Sequence, residues 1–205
     1  EAKKLYETVL KMFPKNRRAK LGLKALVKTK KKINYLELPN DTKNDLLNLF
    51  NQGKLSIITE KAKVLTQKYP KSYFIWNILG VANKGLGRIS ESLENFTKVT
   101  EINPEYADGF NNLGVALKSS GKPEAAVNAY NKALLINPDM ASAHNNKGNA
   151  LKEQGRFDEA IKSYYKAISL KPDYVDALNN LGIAFSDNNK FEDAINSYKK
   201  ALSLN

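Results

Sequence analysis

Cysteine is absent from the 205-residue chain, which excludes disulfides, thiolate metal sites, cysteine nucleophiles and any thiol redox chemistry. Histidine occurs once, at His144, so no second imidazole or thiolate exists to share a metal with it. No apolar run approaches the ~18 residues of a bilayer span, and the N-terminus lacks a charged-then-apolar stretch ending in small residues. The chain therefore reads as soluble and is expected to be cytoplasmic. Arginine is scarce, limited to Arg17, Arg18, Arg88 and Arg156. Acid is scarce at one end only: residues 1–38 hold twelve lysines and arginines against Glu1, Glu7 and Glu37, most of the net charge of +12. Such asymmetry can mark an acidic partner. Lysine, however, supplies a point charge rather than the planar fork suited to phosphates and bases, so the basic segment reads as a solvated face and nucleic acid as an unlikely partner.

What is present is periodic. Pro70, Pro104, Pro138 and Pro172 fall 34 residues apart, a spacing to be tested before anything else is argued. Aligned on them, the chain reads WNILG at Trp76, FNNLG at Phe110, HNNKG at His144 and LNNLG at Leu178, each starting at position 4 of a 34-residue unit. Each unit has two stretches with apolar residues at helical spacing, such as Phe110, Leu113 and Leu117, then Ala126, Val127, Tyr130 and Ala133. The first stretch ends at Gly53, Gly87, Gly121 or Gly155, with Asn189 in the last copy, as a left-handed C-cap requires. Pro123, or acids such as Glu91 and Asp158, then opens the second. Small residues recur at position 8 (Gly80, Gly114, Gly148, Gly182) and position 20 (Ser92, Ala126, Ala160, Ala194), beside an aromatic column at position 24 (Phe96, Tyr130, Tyr164, Tyr198). Two facing small residues let helix backbones approach while the ring fills the space alongside. One pair cannot bury its own apolar face, so the pairs must stack.

The pattern W-x-x-L-G, then A-x-x-x-F/Y, then P at a 34-residue period resembles the tetratricopeptide repeat. The resemblance covers residues 39–205 and implies an all-α fold, a right-handed superhelical solenoid of antiparallel helix pairs. Units from Ala107 onward match closely. The unit from Tyr73 lacks two alanines (Ser92, Val99), and the unit from Pro39 carries Leu46 and Ile58 at the small positions. The expected organisation is residues 1–38 as degenerate N-terminal helices (half repeat, basic helix and linker), then five tandem units in 39–205, the last truncated. Residues 33–39 break the period and are expected to run extended, since Pro39 disfavours helix at Leu38. The chain reads as a piece of a longer protein, because it starts and stops inside repeats.

No Ser/His/Asp set, phosphate-cradling loop or carboxylate pair stands out, so no catalytic residue, metal or cofactor is expected in this fragment. His144 takes the place of Trp76, Phe110 and Leu178 and reads as a packing residue whose ring has no implied partner. Lys147 replaces Leu79, Leu113 and Leu181 and reads as a stem reaching toward the repeat edge.

Polar residues on the other side of the first helix are more telling. At about 100° per residue, positions 5, 6 and 12 lie opposite the packed side. Asn77, Asn111, Asn145 and Asn179 at position 5, Asn112, Asn146 and Asn180 at position 6, and Lys84, Lys118 and Lys152 at position 12 are thus expected to face outward in line. Asparagine is a poor helix former, so its recurrence needs a cause. A chain rich in Asn and Lys, or a duplicated repeat, is one. The other is chemical: an amide donates and accepts, and pairs with the main chain of an extended ligand whatever its side chains. The row is similar to that inside the superhelix of O-linked N-acetylglucosamine transferase, which implies peptide-backbone contacts for Asn112, Asn146 and Asn180. Asn149 fits one element of the two-carboxylate clamp of chaperone adaptors, but the lysine that mode wants at position 5 is asparagine throughout. The expected function is a scaffold binding an extended protein or peptide segment, acidic segments included, in a concave groove. The alternative is the substrate-recruiting part of a larger enzyme such as a glycosyltransferase. Oligomeric state is not legible.

Overall fold

The computed structural model describes residues 2–12, 16, 19–21 and 38–204. Among them every regular element is helical: α1 (Ala2–Met12), α2 (Asn40–Asn51), α3 (Leu55–Lys68), α4 (Tyr73–Gly85), α5 (Ile89–Ile102), α6 (Ala107–Ser119), α7 (Pro123–Ile136), α8 (Ala141–Glu153), α9 (Phe157–Leu170), α10 (Val175–Asp187) and α11 (Phe191–Leu202). The expected basic helix falls mostly outside the described residues. So does the connection over residues 33–39, apart from Leu38 and Pro39, which precede α2 in non-helical conformation.

The turn between the helices of each pair is set by one left-handed residue. Gly53, Gly87, Gly121 and Gly155 have φ of 68°, 73°, 74° and 71°, and Asn189 has 59°. The next amide then reaches back to a carbonyl five residues earlier, as in Arg88 N–H to Asn83 O (2.8 Å), Lys122 to Leu117 (3.0 Å), Arg156 to Leu151 (3.0 Å) and Lys190 to Phe185 (2.8 Å). This closes the helix end and folds the chain back upon itself.

Glycine and ring meet directly inside each pair. A Cβ on Gly80, Gly114, Gly148 or Gly182 would come within 2.7, 2.5, 2.6 or 2.5 Å of the ring of Phe96, Tyr130, Tyr164 or Tyr198. The position-8 glycine is thus a seat for the position-24 ring. Ser92 stands at position 20 with a purpose of its own: its buried hydroxyl donates to the Gly80 carbonyl at 2.9 Å. The unit from Pro39 solves the same packing problem the other way round. Leu46 and Ile58 fill positions 8 and 20 and are fully buried, while position 24 shrinks to Ala62, also fully buried. Bulk has moved from the ring column to the small columns, so apolar side chains still fill the space between the two helices.

Within the stack, each second helix packs on the first helix of the next pair, α3 on α4, α5 on α6, α7 on α8 and α9 on α10. First helices of successive pairs also touch: α4 with α6, α6 with α8, α8 with α10. The last three pairs share one continuous core that includes Tyr130, Leu151, Tyr164, Leu178 and Phe185. The contact of first helix with first helix creates the face on which the candidate residues sit.

Candidate functional site

The asparagines do not stand as separate outward-facing groups. Asn112 Nδ2 donates to Asn77 Oδ1 at 3.0 Å, Asn146 to Asn111 at 3.1 Å and Asn180 to Asn145 at 3.0 Å. Position 6 of one unit therefore bonds position 5 of the unit before, 35 residues back, and the row is a ladder between repeats. Asn145 is buried, only 5% exposed. Asn77, Asn111, Asn112, Asn146 and Asn180 are half-buried, and Asn179 alone is exposed. Helical spacing placed them opposite the packed side and facing outward. It missed that neighbouring first helices come close enough to bond across that side. Ile78, at position 6 of the unit from Tyr73, is buried, so the first rung is the one from Asn112.

The lysines follow the same offset. Lys118 Nζ lies 2.8 Å from Glu153 Oε1, and Lys152 Nζ 3.7 Å from Asp187 Oδ2, each 35 residues on. The residue 35 beyond Lys84 is Ser119, and Lys84 alone of the three has no ion-pair partner among the described residues. Two of the charges expected to draw acidic segments are thus already answered within the protein. Glu153 and Asp187 escaped the sequence reading, although lysine at position 12 followed by acid at position 13 one unit later was visible there.

Asn149 is committed as well: its Oδ1 accepts the Tyr164 hydroxyl at 2.7 Å. In the preceding unit the same position is Val115, and the buried Tyr130 hydroxyl has no partner among the described residues. Burial pushes both phenols well above their ordinary range, with Glu153 adding to the effect. Asn149 is thereby a partner of the aromatic column rather than an element of a carboxylate clamp.

His144 has a partner that the sequence did not suggest. Its Nε2 lies 2.9 Å from the Pro138 carbonyl, just as Trp76 Nε1 donates to the Pro70 carbonyl at 2.9 Å. The histidine copies the tryptophan's hydrogen bond to the phased proline. Burial lowers its pKa below the ordinary value, and the charges of Lys166 and Lys147 push the same way against the Pro138 bond. The neutral ring is the folded form. A depressed histidine pKa contributes stability that is complete above the unfolded value of about 6.5 and is lost as pH falls toward the folded value. Since His144 is the sole histidine, wild type should lose more stability between pH 7.5 and 5 than His144→Leu does. Urea unfolding at both pH values checks it, and parallel losses would show that the ring does not sense its surroundings. At pH 7.5 the leucine variant should stay within about 1 kcal/mol of wild type, a lost hydrogen bond being offset by apolar packing.

Among the described residues no group of three His, Cys, Asp or Glu is placed to hold a metal ion, and no helix is long and apolar enough to cross a membrane.

Solved structures share the architecture. A crystal structure of MamA superposes with a TM-score of 0.70 at 24% identity, covering 77% of this chain and 92% of that one. MamA 41-end from Desulfovibrio magneticus RS-1 gives 0.72 at 18% identity, covering 78% and 91%. YrrB, described as a TPR protein with an unusual peptide-binding site, gives 0.65 at 20% identity, covering 78% and 83%. No curated protein sequence matches the chain. The family model described as TPR repeat matches residues 116–155 and 148–189, and two described as tetratricopeptide repeat match 175–205 and 75–106. With these matches spanning more than half of the chain, and with the glycine seats, ring column and phased prolines in place, the chain belongs to the tetratricopeptide repeat family.

Proposed function

We propose that the chain is an interaction scaffold that holds an extended polypeptide segment against the face built by α4, α6, α8 and α10. The ladder is the observation that carries this reading. An asparagine amide has two N–H donors and a carbonyl with two lone pairs, and each rung engages only one donor of Asn112, Asn146 and Asn180. The rest of each amide remains at a half-buried position, with its rotamer held by the rung. Ordering that a free side chain would undergo on binding has already occurred in folding. Peptide-binding use of such a stack is also what YrrB is described as having.

Because Glu153 and Asp187 neutralise Lys118 and Lys152, selection rests on the ligand's main chain more than on its charge. Sequence selectivity is then loose, and Lys84 offers an anchor for an acidic residue at one end only. The test is a titration of Asn112→Ala/Asn146→Ala/Asn180→Ala against a peptide selected on wild type by display, read by fluorescence anisotropy. At about 1 kcal/mol for each of three contacts, affinity should fall on the order of a hundredfold. Asn77→Ala/Asn111→Ala/Asn145→Ala breaks the same rungs while keeping the position-6 amides, and should weaken binding less. Equal affinity of wild type and a folded position-6 variant would place the binding face elsewhere.

A further inference from the structure

On the opposite side of α8 from the ladder lies a groove between α8 and α9 of about 340 Å3, lined among others by His144, Lys147, Lys162, Lys166 and Glu159. Its carboxylate is already taken: Arg156 holds Glu159 through two bonds of 2.7 Å, Nε to Oε1 and Nη2 to Oε2. Among the described residues Lys147, Lys162 and Lys166 have no ion-pair partner, and Lys147 is half-buried. Three ammonium groups therefore border one recess with no free acid among them.

Sister units show that this is peculiar to one repeat. Position 7 is Leu79, Leu113 and Leu181 where this unit has Lys147, and position 22 is Glu94, Asn128 and Asn196 where it has Lys162. Position 26 is lysine in the last four units (Lys98, Lys132, Lys166 and Lys200), and in the two units before this one it is engaged: Lys98 pairs with Glu101 at 2.8 Å, and Lys132 sits over the Phe110 ring at 5.6 Å. In this unit the residue at the place of Phe110 is His144, whose ring is tied to the Pro138 carbonyl, and Lys166 has no such ring beneath it. Two added cations and one released cation thus converge on the same groove.

We propose that this groove is an anion site that takes a phosphate dianion, either free or as a phosphomonoester. Lysine serves phosphate as a point charge from several directions at once, without the planar matching that arginine imposes on a carboxylate. A dianion would relieve the mutual repulsion of the three ammonium groups and compensate the half-buried Lys147. The site is independent of the peptide-binding reading, since none of its residues belongs to the ladder.

His144 reports occupancy. It is the sole imidazole, and the groups acting on it are Lys147, Lys166 and Asp139 together with the Pro138 carbonyl, so a dianion arriving among them must raise its pKa. The experiment follows the His144 ring proton by NMR while inorganic phosphate is added at constant ionic strength with chloride, in wild type and in Lys147→Leu/Lys162→Asn. Both substitutions are residues that sister units carry, so the variant retains the fold. Wild type should show a saturable shift with a raised histidine pKa, and the variant should bind roughly tenfold more weakly or less, since two charge-assisted contacts are gone. O-phosphoserine run in parallel separates the sources: tighter binding than inorganic phosphate assigns the site to a phosphomonoester, and equal or weaker binding to the free ion. A shift that never saturates, or one of the same size in wild type and variant, would overturn the proposal.

Discussion

Alanine in place of Gly148 should lower the stability of the chain by about 1–3 kcal/mol, although glycine to alanine within a helix ordinarily gains about 1 kcal/mol. The sign reverses because the new methyl would lie 2.6 Å from Tyr164 Cε1 and 2.8 Å from Cδ1 and Cζ. The ring has little room to yield: it is fully buried, and its hydroxyl is fixed on Asn149. The unit from Pro39 shows how such a methyl could be accommodated, with Leu46 at the glycine position and Ala62 at the ring position. Gly148→Leu/Tyr164→Ala should therefore be more stable than the sum of its two single changes by about 1 kcal/mol or more. Urea unfolding followed by circular dichroism measures wild type and all four variants. An unchanged midpoint for Gly148→Ala would mean that the ring is not seated as described.

Removing the ladder should cost a similar amount and act differently. Asn77→Ala/Asn111→Ala/Asn145→Ala deletes three rungs, and at about 0.5–1.5 kcal/mol net per bond, less a few tenths regained in helix propensity at each site, the loss is about 1–3 kcal/mol. Asn145, the most buried of the three and bonded to Asn180, should account for the largest share. The rungs join neighbours, so their loss weakens interfaces rather than repeats, and the unfolding transition should broaden as the units uncouple. Adding Asn112→Ala, Asn146→Ala and Asn180→Ala to the same protein removes partners whose rungs are already broken. Little further loss is then expected. A full second decrement would show that the two columns act singly and that the bonds contribute nothing to coupling.

Glycine at position 8, the left-handed glycine after each first helix and the ring at position 24 were legible because each answers a constraint local to one pair. A hydrophobic period, a positive φ and a close approach all leave their mark within 34 residues. The unit from Pro39 looked degenerate in sequence because columns were read one at a time. Leu46, Ile58 and Ala62 make sense only when taken together, bulk at two columns answering its loss at the third. The asparagines and lysines were legible as recurring columns, but their bonds were not, since each joins residues 35 apart. A search aligned strictly on a 34-residue period compares like positions and overlooks the pairing of position 5 with position 6, or 12 with 13. The His144 hydrogen bond was hidden for another reason: Trp76 and histidine look unlike each other as side chains, yet both present a ring nitrogen to the same carbonyl.

Every complete rung also imposes a rule on how this molecule can change length. Each unit from Ala107 onward carries its socket at position 5 and its plug at position 6, so copying or deleting one of these units whole leaves each plug facing a socket, and the seam heals itself. Adding a single residue inside a unit does not, because the amide on one side would arrive about 100° around its helix from the one it must meet. The seam therefore tolerates growth in steps of 34 and resists growth in steps of one. A chain built this way can lengthen its working surface by duplication without any interface having to be invented.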